Sequence, residues 1–194
     1  MAYQLSHLPH LKNMESGNNK WDPVNNAVYE MYFTLPDAIR SEFAEDEVIL
    51  TNQVTEVSGL DALQHTTGVG SQKFHGVDVS YHNPMMDTTV ADVTVTLNLN
   101  LRNVTDNFVL KVFRAWENLN YNLADGTRTL LADYSSDAMR IAIANRAGDV
   151  VRSIVFNRVL LTGVSGIDTL NYTDNEPQKL QVTFRCDYWD DVYA

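Results

Sequence analysis

Residues 91–123 constrain the fold more than any other stretch because their hydrophobic period changes midway. Apolar residues alternate with uncharged polar ones over Val93–Leu101, which is typical of a strand with one buried face. Over Phe108–Leu119 the apolar residues fall three or four positions apart, which predicts an amphipathic helix. We expect Thr105 to cap that helix. The stretch therefore predicts a strand and a helix that share one core.

Most of the remaining regular structure is predicted to be β. The second predicted strand runs into a turn at Gly59, and the loop Asn145–Asp149 joins two later strands into a hairpin. Pro36 is expected to begin a short helix over Asp37–Glu45. The predicted strands besides Val93–Leu101 are Val28–Leu35, Val48–Val57, Phe74–Tyr81, Met139–Ala144, Val150–Val159 and Leu180–Tyr188.

A long hairpin is predicted around residues 48–81. Its tip would be Asp61–Ser71, which contains Gly68 and Gly70 and little that can fill a core. The dipeptide Asn83–Pro84 predicts a turn after it. A long exposed hairpin is costly unless it docks on something, so the tip is either a contact surface or a mobile loop.

These elements predict an α+β fold, mostly antiparallel, in which a β-sandwich or barrel packs against one helix. The length of 194 residues suits one domain, residues 27–194, preceded by a polar, Asn-rich arm, residues 1–26. In the last strand Cys186 and Tyr188 occupy every second position, in phase with the other residues that are expected to face inward. We therefore expect Cys186 to be a buried thiol without a disulfide partner.

Charge and motif content argue against several functions. The net charge of −11 repels nucleic acid, so we do not expect a DNA-gripping protein. Residues Thr67–Lys73 lack the spacing of a phosphate-binding loop, Gly163–Gly166 is one residue short of a nucleophile elbow, and the histidines lack zinc-site spacing. Neither a signal peptide nor a membrane-crossing apolar run is visible. We therefore expect no enzyme, cofactor, metal or membrane partner.

The end of the chain resembles a known family. The segment Leu170–Trp189 finishes in an alternating strand that runs into Asp-Tyr-Trp, and it is similar to the closing segment of the tail tube protein of contractile-tailed (myovirus) bacteriophages. The strand around Thr94–Thr96, followed by a helix with Phe113 and Trp116, is similar to the strand–helix unit of that family. Element order extends the resemblance over roughly residues 28–190.

The resemblance implies a structural virion protein related in fold to the type VI secretion tube protein. Such subunits form hexameric rings, in which strands join those of neighbouring subunits, and the rings stack into a hollow conduit inside a contractile sheath. The implied partners are further copies of the chain, the tail sheath protein, the baseplate tube-initiator and the tail terminator. Genomic DNA would pass through the lumen without specific binding. The implied location is the virion tail, after synthesis in the host cytoplasm.

The acidic composition agrees with that role. Six copies carry 6 × −11 = −66 charges. If part of this charge lines the bore, it keeps passing DNA from adhering to the wall, within a screening distance of about 8 Å at physiological salt.

Two other readings stay open at this point. The chain departs from the family in its longer N-terminal arm and in the absence of proline from Gly163–Ser165, so a baseplate tube-initiator or the tube of a phage-like or type VI injection system is an alternative. The second is a carbohydrate-active β-sandwich that uses Trp21, Trp116, Trp189 and scattered carboxylates. An exposed Trp189 in a cleft beside acidic residues would favour it.

Apolar residues without an obvious partner inside one small domain are the candidates for subunit interfaces. The alternative for each is local packing. They are Tyr3, Leu5, Leu8, Leu11 and Trp21 in the arm, and Leu60, Leu63, His65, Val69 and Phe74 in and beside the predicted hairpin tip.

Overall fold

The structure is a computed structural model, and it describes residues 28–44, 46–75, 77–90, 92–101, 106–122, 124–145, 148–165 and 177–193. For Phe74 and residues 83–89 it describes the backbone only. The strands are β1 Tyr29–Tyr32, β2 Val54–Ser58, β3 Gln64–Phe74, β4 Val77–Thr89, β5 Val93–Asn98, β6 Ser136–Ala144, β7 Val150–Val164 and β8 Lys179–Tyr193. The α-helices are α1 Asp37–Phe43, α2 Asp46–Thr51, α3 Phe108–Asn120 and α4 Leu131–Tyr134, and a 3₁₀ turn covers Leu60–Ala62.

Six strands form one antiparallel sheet in the order β1-β6-β7-β8-β5-β2, and β3 and β4 form a separate two-stranded ribbon. The six-stranded sheet curls until its two edges approach each other. Tyr29 on β1 and Val57 on β2 line the same groove, and burial together with the nearby charge of Glu56 raises the pKa of Tyr29. The expected α+β, mostly antiparallel fold is confirmed, as one nearly closed, barrel-like sheet.

Helix α3 fills the inside of the curled sheet. Asn107 caps it by accepting a hydrogen bond from the backbone N–H of Leu110 at 3.3 Å; the expected cap, Thr105, lies outside the described residues. The indole N–H of Trp116 donates to the backbone carbonyl of Tyr134 at 2.7 Å. The shared core of strand and helix is confirmed by the buried residues Val93, Val95, Leu97, Phe108, Val109, Val112, Phe113 and Trp116.

The predicted second strand, Val48–Val57, is wrong in its first half, which is helix α2. Asp46 and Glu47 lie in the first turn of this helix, where acidic groups complement the helix dipole. The backbone N–H of Leu35 donates to the carboxylate of Glu47 at 2.9 Å. Leu50 is fully buried. Packing therefore outweighs the low helix propensity of the β-branched residues in this segment.

The inward alternation predicted for β8 holds through Cys186, which is buried, and then changes phase. Tyr188, expected to face the core, is 52% exposed, whereas Trp189 is 5% exposed. The neighbouring strand explains the change, because Arg158 in β7 has a φ of 52°, a left-handed conformation that interrupts regular alternation. Arg158 also forms a 3.0 Å ion pair with Asp187.

The structure contains a long hairpin, but not the one expected over residues 48–81, because β2 pairs with β5 and the hairpin is formed by β3 and β4. Most residues expected at the tip lie in strand β3, and the ribbon turns at His75, between the paired residues Phe74 and Val77. His75 has a φ of 47°, as two-residue hairpin loops of the favoured type require. The expected turn at Asn83–Pro84 is wrong as well, since both residues lie in β4. The register shifts between Thr67 and Val69, opposite this proline, and an irregularity tolerates its missing N–H.

Candidate assembly surfaces

The β3–β4 ribbon is the most exposed element that the structure describes. Its first strand has 11 residues, which corresponds to about 36 Å at 3.3 Å per residue. Val69 is 66% exposed and Val77 is 64% exposed. A ribbon of this length with uncovered apolar side chains is unusual for an isolated soluble domain, because two strands alone are marginally stable in water.

The two faces of the ribbon differ in chemistry. Side chains of directly paired residues share a face. On the more polar face Lys73 pairs with Asp78, Ser71 with Ser80 and Val69 with His82, and on the other face Gln72 pairs with Val79. The opposite face carries Val77, Val79 and Tyr81. Val79 is 47% exposed and Tyr81 is 51% exposed. We call this set of three residues the apolar face of the ribbon.

Gly70 gives the apolar face its shape. It pairs with Tyr81, and a Cβ on Gly70 would lie 2.6 Å from the Tyr81 ring. The ring therefore lies directly over the glycine, an arrangement that compensates for the missing side chain in a strand. The apolar face is consequently a continuous strip along β4.

The base of the ribbon is held against the sheet by an aromatic contact. The ring of His65 stacks on Trp189 with 4.0 Å between centroids and 24° between planes. Arg152 donates two hydrogen bonds to the carboxylate of Asp191, at 2.8 and 2.6 Å. These bonds, with one from Tyr193, lower the pKa of Asp191, and the nearby charge of His65 acts in the same direction. The base is thus ordered although the rest of the ribbon is exposed.

An apolar groove opens beside this base, where the edges of the curled sheet come closest. It has a volume of about 330 Å³. Asp61 and Arg152 are its charged residues, and Arg152 is already paired with Asp191. The remaining lining residues are Tyr29, Val57, Leu60, Ile141, Ile143 and Ile154. We call the groove that these residues line together with Asp61 and Arg152 the edge groove.

The outer face of the sheet is polar and mostly uncharged around β5, as the alternation predicted. Thr94 and Thr183 lie opposite each other with their hydroxyl oxygens 3.4 Å apart, and the hydroxyl of Thr162 donates to the carbonyl of Thr183 at 3.0 Å. Arg185 is paired with Asp92 at 2.8 Å. Arg185 and Asp92 thus neutralise each other, whereas Glu56 lies opposite Thr96 on the same face.

The expected interface residues lie in different environments in the structure. Leu60 and Leu63 are half-buried against the core, so the core supplies packing that the sequence did not indicate. His65 has the intramolecular stacking partner described above, whereas Val69 is exposed. For Phe74 only the backbone is described. The arm residues Tyr3, Leu5, Leu8, Leu11 and Trp21 lie outside the described residues.

Sequence reasoning missed the residues that form the apolar face. Val77, Val79 and Tyr81 alternate in the sequence, which predicts the strand Phe74–Tyr81, but they are not among the expected interface residues. Alternation predicts that the two faces of a strand differ in polarity, but it does not predict which element packs on either face. In the described part of the chain no third strand lies beside β4, and this is visible only in three dimensions.

The tryptophans do not form the sugar-binding cleft that the carbohydrate reading required. Trp116 is completely buried and Trp189 is 5% exposed beneath His65. Neither ring can stack on a sugar from the solvent side. Trp21 lies outside the described residues.

The described residues contain no group of three or more His, Cys, Asp or Glu side chains arranged to hold a metal ion. None of the helices in the described part of the chain is long and apolar enough to cross a membrane.

The sequence matches no protein-family model and no curated protein. Solved structures do match. One is the tube-terminating cap of the anti-feeding prophage, with a TM-score of 0.55 and 17% identity over 89% of this chain and 92% of the other. Another comes from the sheath-tube complex of the extracellular contractile injection system PVC in its extended state, with a TM-score of 0.54 and 13% identity over 89% and 93%.

A third match comes from the sheath/tube terminator of the PVC system, with a TM-score of 0.52 and 12% identity over 88% of this chain and 96% of the other. All three are described as parts of an injection apparatus and none as an enzyme. At these identities the likeness concerns the fold, over almost the whole length of both partners. The chain therefore has the fold found in the tube, cap and terminator assemblies of contractile injection systems.

Proposed function

We propose that this protein is a structural, non-catalytic subunit of the tube of a contractile tail or injection system. Six copies form a ring by joining the open edges of their sheets, and rings stack into a hollow conduit enclosed by a contractile sheath. In a phage tail the conduit carries DNA during ejection, without specific binding. The further partners are the sheath protein, a baseplate tube-initiator and a terminator, and the location is the tail of the particle.

The observation that carries this proposal is the shared fold. It spans 89% of this chain and 92% of the tube-terminating cap, so the likeness covers almost all of both chains. Fold alone does not specify function, and the exposed surfaces described above supply independent support.

Two of those surfaces are open sheet edges. β1 has four residues and β2 has five, and neither has a second strand partner in the described structure. Free edges attract strands of other molecules, and joining them between subunits closes a continuous sheet around the ring. The edges therefore support lateral assembly, while the exposed ribbon supports contact with a further subunit.

A second candidate is a part of a phage-like injection system that does not carry DNA. The structural matches described above come from the anti-feeding prophage and from the extracellular contractile injection system PVC. A terminator or initiator of the same fold would form one ring and stop.

Sedimentation velocity of the full chain over a concentration series tests the proposal. A structural tube subunit is expected to give rings or longer polymers whose proportion rises with concentration. Addition of preassembled tail or injection-system baseplates should seed growth if nucleation is slow. A single monomeric species at every concentration, with and without baseplates, would contradict it.

A further inference from the structure

We propose that the backbone conformation of Arg158 sets the angle between the two edge strands of the sheet, and thereby the number of subunits that closes a ring. The inference rests on the proposed function and deepens it, since it names a residue that determines the geometry of assembly. Arg158 is a positioning residue, because it acts through the shape of the sheet.

The inward-facing side chains change phase at the same place in three adjacent strands. In β6, β7 and β8, two successive residues that are not buried separate two buried ones, where strict alternation would place a single residue. Backbone pairing aligns the three positions side by side, so the changes form one line across the sheet. We call this line the phase break, and its residues are Asp137, Ala138, Asn157, Arg158, Asp187 and Tyr188.

Arg158 is the centre of the phase break. It lies in the middle strand of the three, and of the six residues it is the one with a left-handed backbone, at a φ of 52°. In the described ladder, pairing passes from Asn157–Tyr188 to Val159–Cys186 without a pair between them. An interruption of this kind bends a strand and increases its twist. The two sides of the phase break therefore meet at an angle that Arg158 controls.

The side chain of Arg158 does not account for its backbone conformation. Its guanidinium forms a 3.0 Å ion pair with Asp187, but the two side chains are 51% and 43% exposed. An exposed ion pair contributes little to stability. A left-handed arginine persists only where the surrounding structure holds it, so the conformation depends on the packing of the strands. A substitution that removes only the ion pair should leave the phase break in place.

The inner side of the phase break lies over a small void in the core. The void has a volume of about 10 Å³. Met139 and Phe156 line it from one side of the break, and Val159 and Cys186 line it from the other. A fully packed core resists a change of shape, whereas a void beside a flexible methionine gives the two sides room to adjust. The angle can therefore respond to a substitution at Arg158.

The phase break divides the sheet into two parts, and each part carries one edge strand. β1 pairs with residues 140–143 of β6, on one side of the break. β5 pairs with residues 179–184 of β8, on the other side, and β2 pairs with β5. The sheet thus connects its two edge strands, β1 and β2, through the phase break.

The angle between the edge strands determines how many copies close a ring. In the proposed assembly the β1 edge of one subunit joins the β2 edge of the next, which is a head-to-tail contact. Each contact rotates the next subunit by the same amount, and the ring closes only if that rotation divides a full turn. A substitution that turns one edge relative to the other is therefore expected to change the size of the ring or to produce an open helix.

The first test measures the distance between the edge strands in dilute, monomeric protein by electron spin resonance. Spin labels are attached to cysteines that replace Glu30 on β1 and Glu56 on β2, both of which are exposed. Burial raises the pKa of the native Cys186 thiol, so this thiol is expected to stay unlabelled. Arg158→Val should shift the distance distribution, because a β-branched residue disfavours the left-handed conformation. Arg158→Gly should retain the wild-type distribution, since glycine adopts that conformation freely.

The second test counts the subunits in assembled rings by electron microscopy, and Arg185→Val is the matched control for both tests. Arg185 lies in the same sheet and forms an exposed ion pair with Asp92 at 2.8 Å, but its backbone is not left-handed. Arg185→Val and Arg158→Gly are expected to form wild-type rings. Arg158→Val is expected to form rings of a different size or open helices.

Circular dichroism checks that each variant is folded. If Arg158→Val does not fold, Arg158→Ala takes its place, because alanine opposes the left-handed conformation less strongly than valine does. A folded valine or alanine variant with the wild-type distance and ring size would overturn this inference, as would an equal change in Arg158→Gly, and both results leave tube assembly intact. A wild-type chain that forms no rings, even with a baseplate template, would overturn both proposals.

Discussion

At the scale of single residues, Gly59 is a position where backbone and packing both demand glycine. It connects β2 to the 3₁₀ turn on the groove rim with a φ of 88°. A Cβ there would lie 2.4 Å from the carbonyl oxygen of Asp92. The sequence indicated a turn at Gly59, but the close approach of a distant backbone carbonyl is visible only in the fold.

Gly59→Ala should therefore destabilise the protein more than a left-handed glycine ordinarily would. We expect a loss of about 3 kcal/mol or more in the free energy of unfolding, because a fixed backbone atom must move. Gly126→Ala is the matched control, with a φ of 67° and no atom within 4 Å of the added Cβ, and should cost about 1 kcal/mol. Urea denaturation measures both, and equal losses would contradict the role of the Asp92 contact.

Residue types also explain where sequence-based prediction of the ribbon was inaccurate. Gly68 and Gly70 suggested a turn, but Gly70 lies in mid-strand beneath the ring of Tyr81. The actual turn contains His75, which is not a residue that signals a hairpin from sequence. A contact with an aromatic ring on the neighbouring strand can require glycine at a position just as a turn can, and a single sequence does not distinguish the two.

At the scale of elements, prediction succeeded where alternation was long and packing simple. Strand β5 and helix α3 are predicted from their periods, because one face of each meets the same core. Helix α2 was missed because Val48, Ile49 and Leu50 suit a short strand as well as a helix. The fully buried Leu50 decides in favour of the helix, and that burial depends on the tertiary structure.

The ribbon should behave as a separate dynamic unit in the monomer. Within the described residues it has two strands and exposed side chains on both faces, so we expect its amides over Thr66–His82 to exchange with deuterium much faster than those of the central strands β7 and β8. Assembly should slow exchange in the ribbon because its apolar face becomes buried. Hydrogen-exchange mass spectrometry of monomer and polymer measures this.

Two exchange results would contradict the assignment of the ribbon as a contact element. One is protection in the monomer equal to that of β7 and β8, which would mean that the ribbon is already covered within its own chain. The other is unchanged exchange after assembly, which would place the contacts elsewhere.

At the scale of the whole molecule, the chain shares a fold with proteins to which it is 12–17% identical. What persists at that distance is the order of elements and the period of their apolar residues, which explains why the sequence allowed the fold class to be predicted. The surfaces that mediate assembly have no comparable period. They depend on which edges and faces remain uncovered, and this emerges only when the sheet has closed around α3.

A chain with two open sheet edges and an exposed ribbon is expected to assemble into a tube. Negative-stain electron microscopy of the concentrated, purified protein, with a baseplate-seeded sample beside it, tests whether it does. Six-membered rings or hollow tubes of uniform diameter are expected. Isolated globular particles in both samples, with neither rings nor tubes, would contradict it.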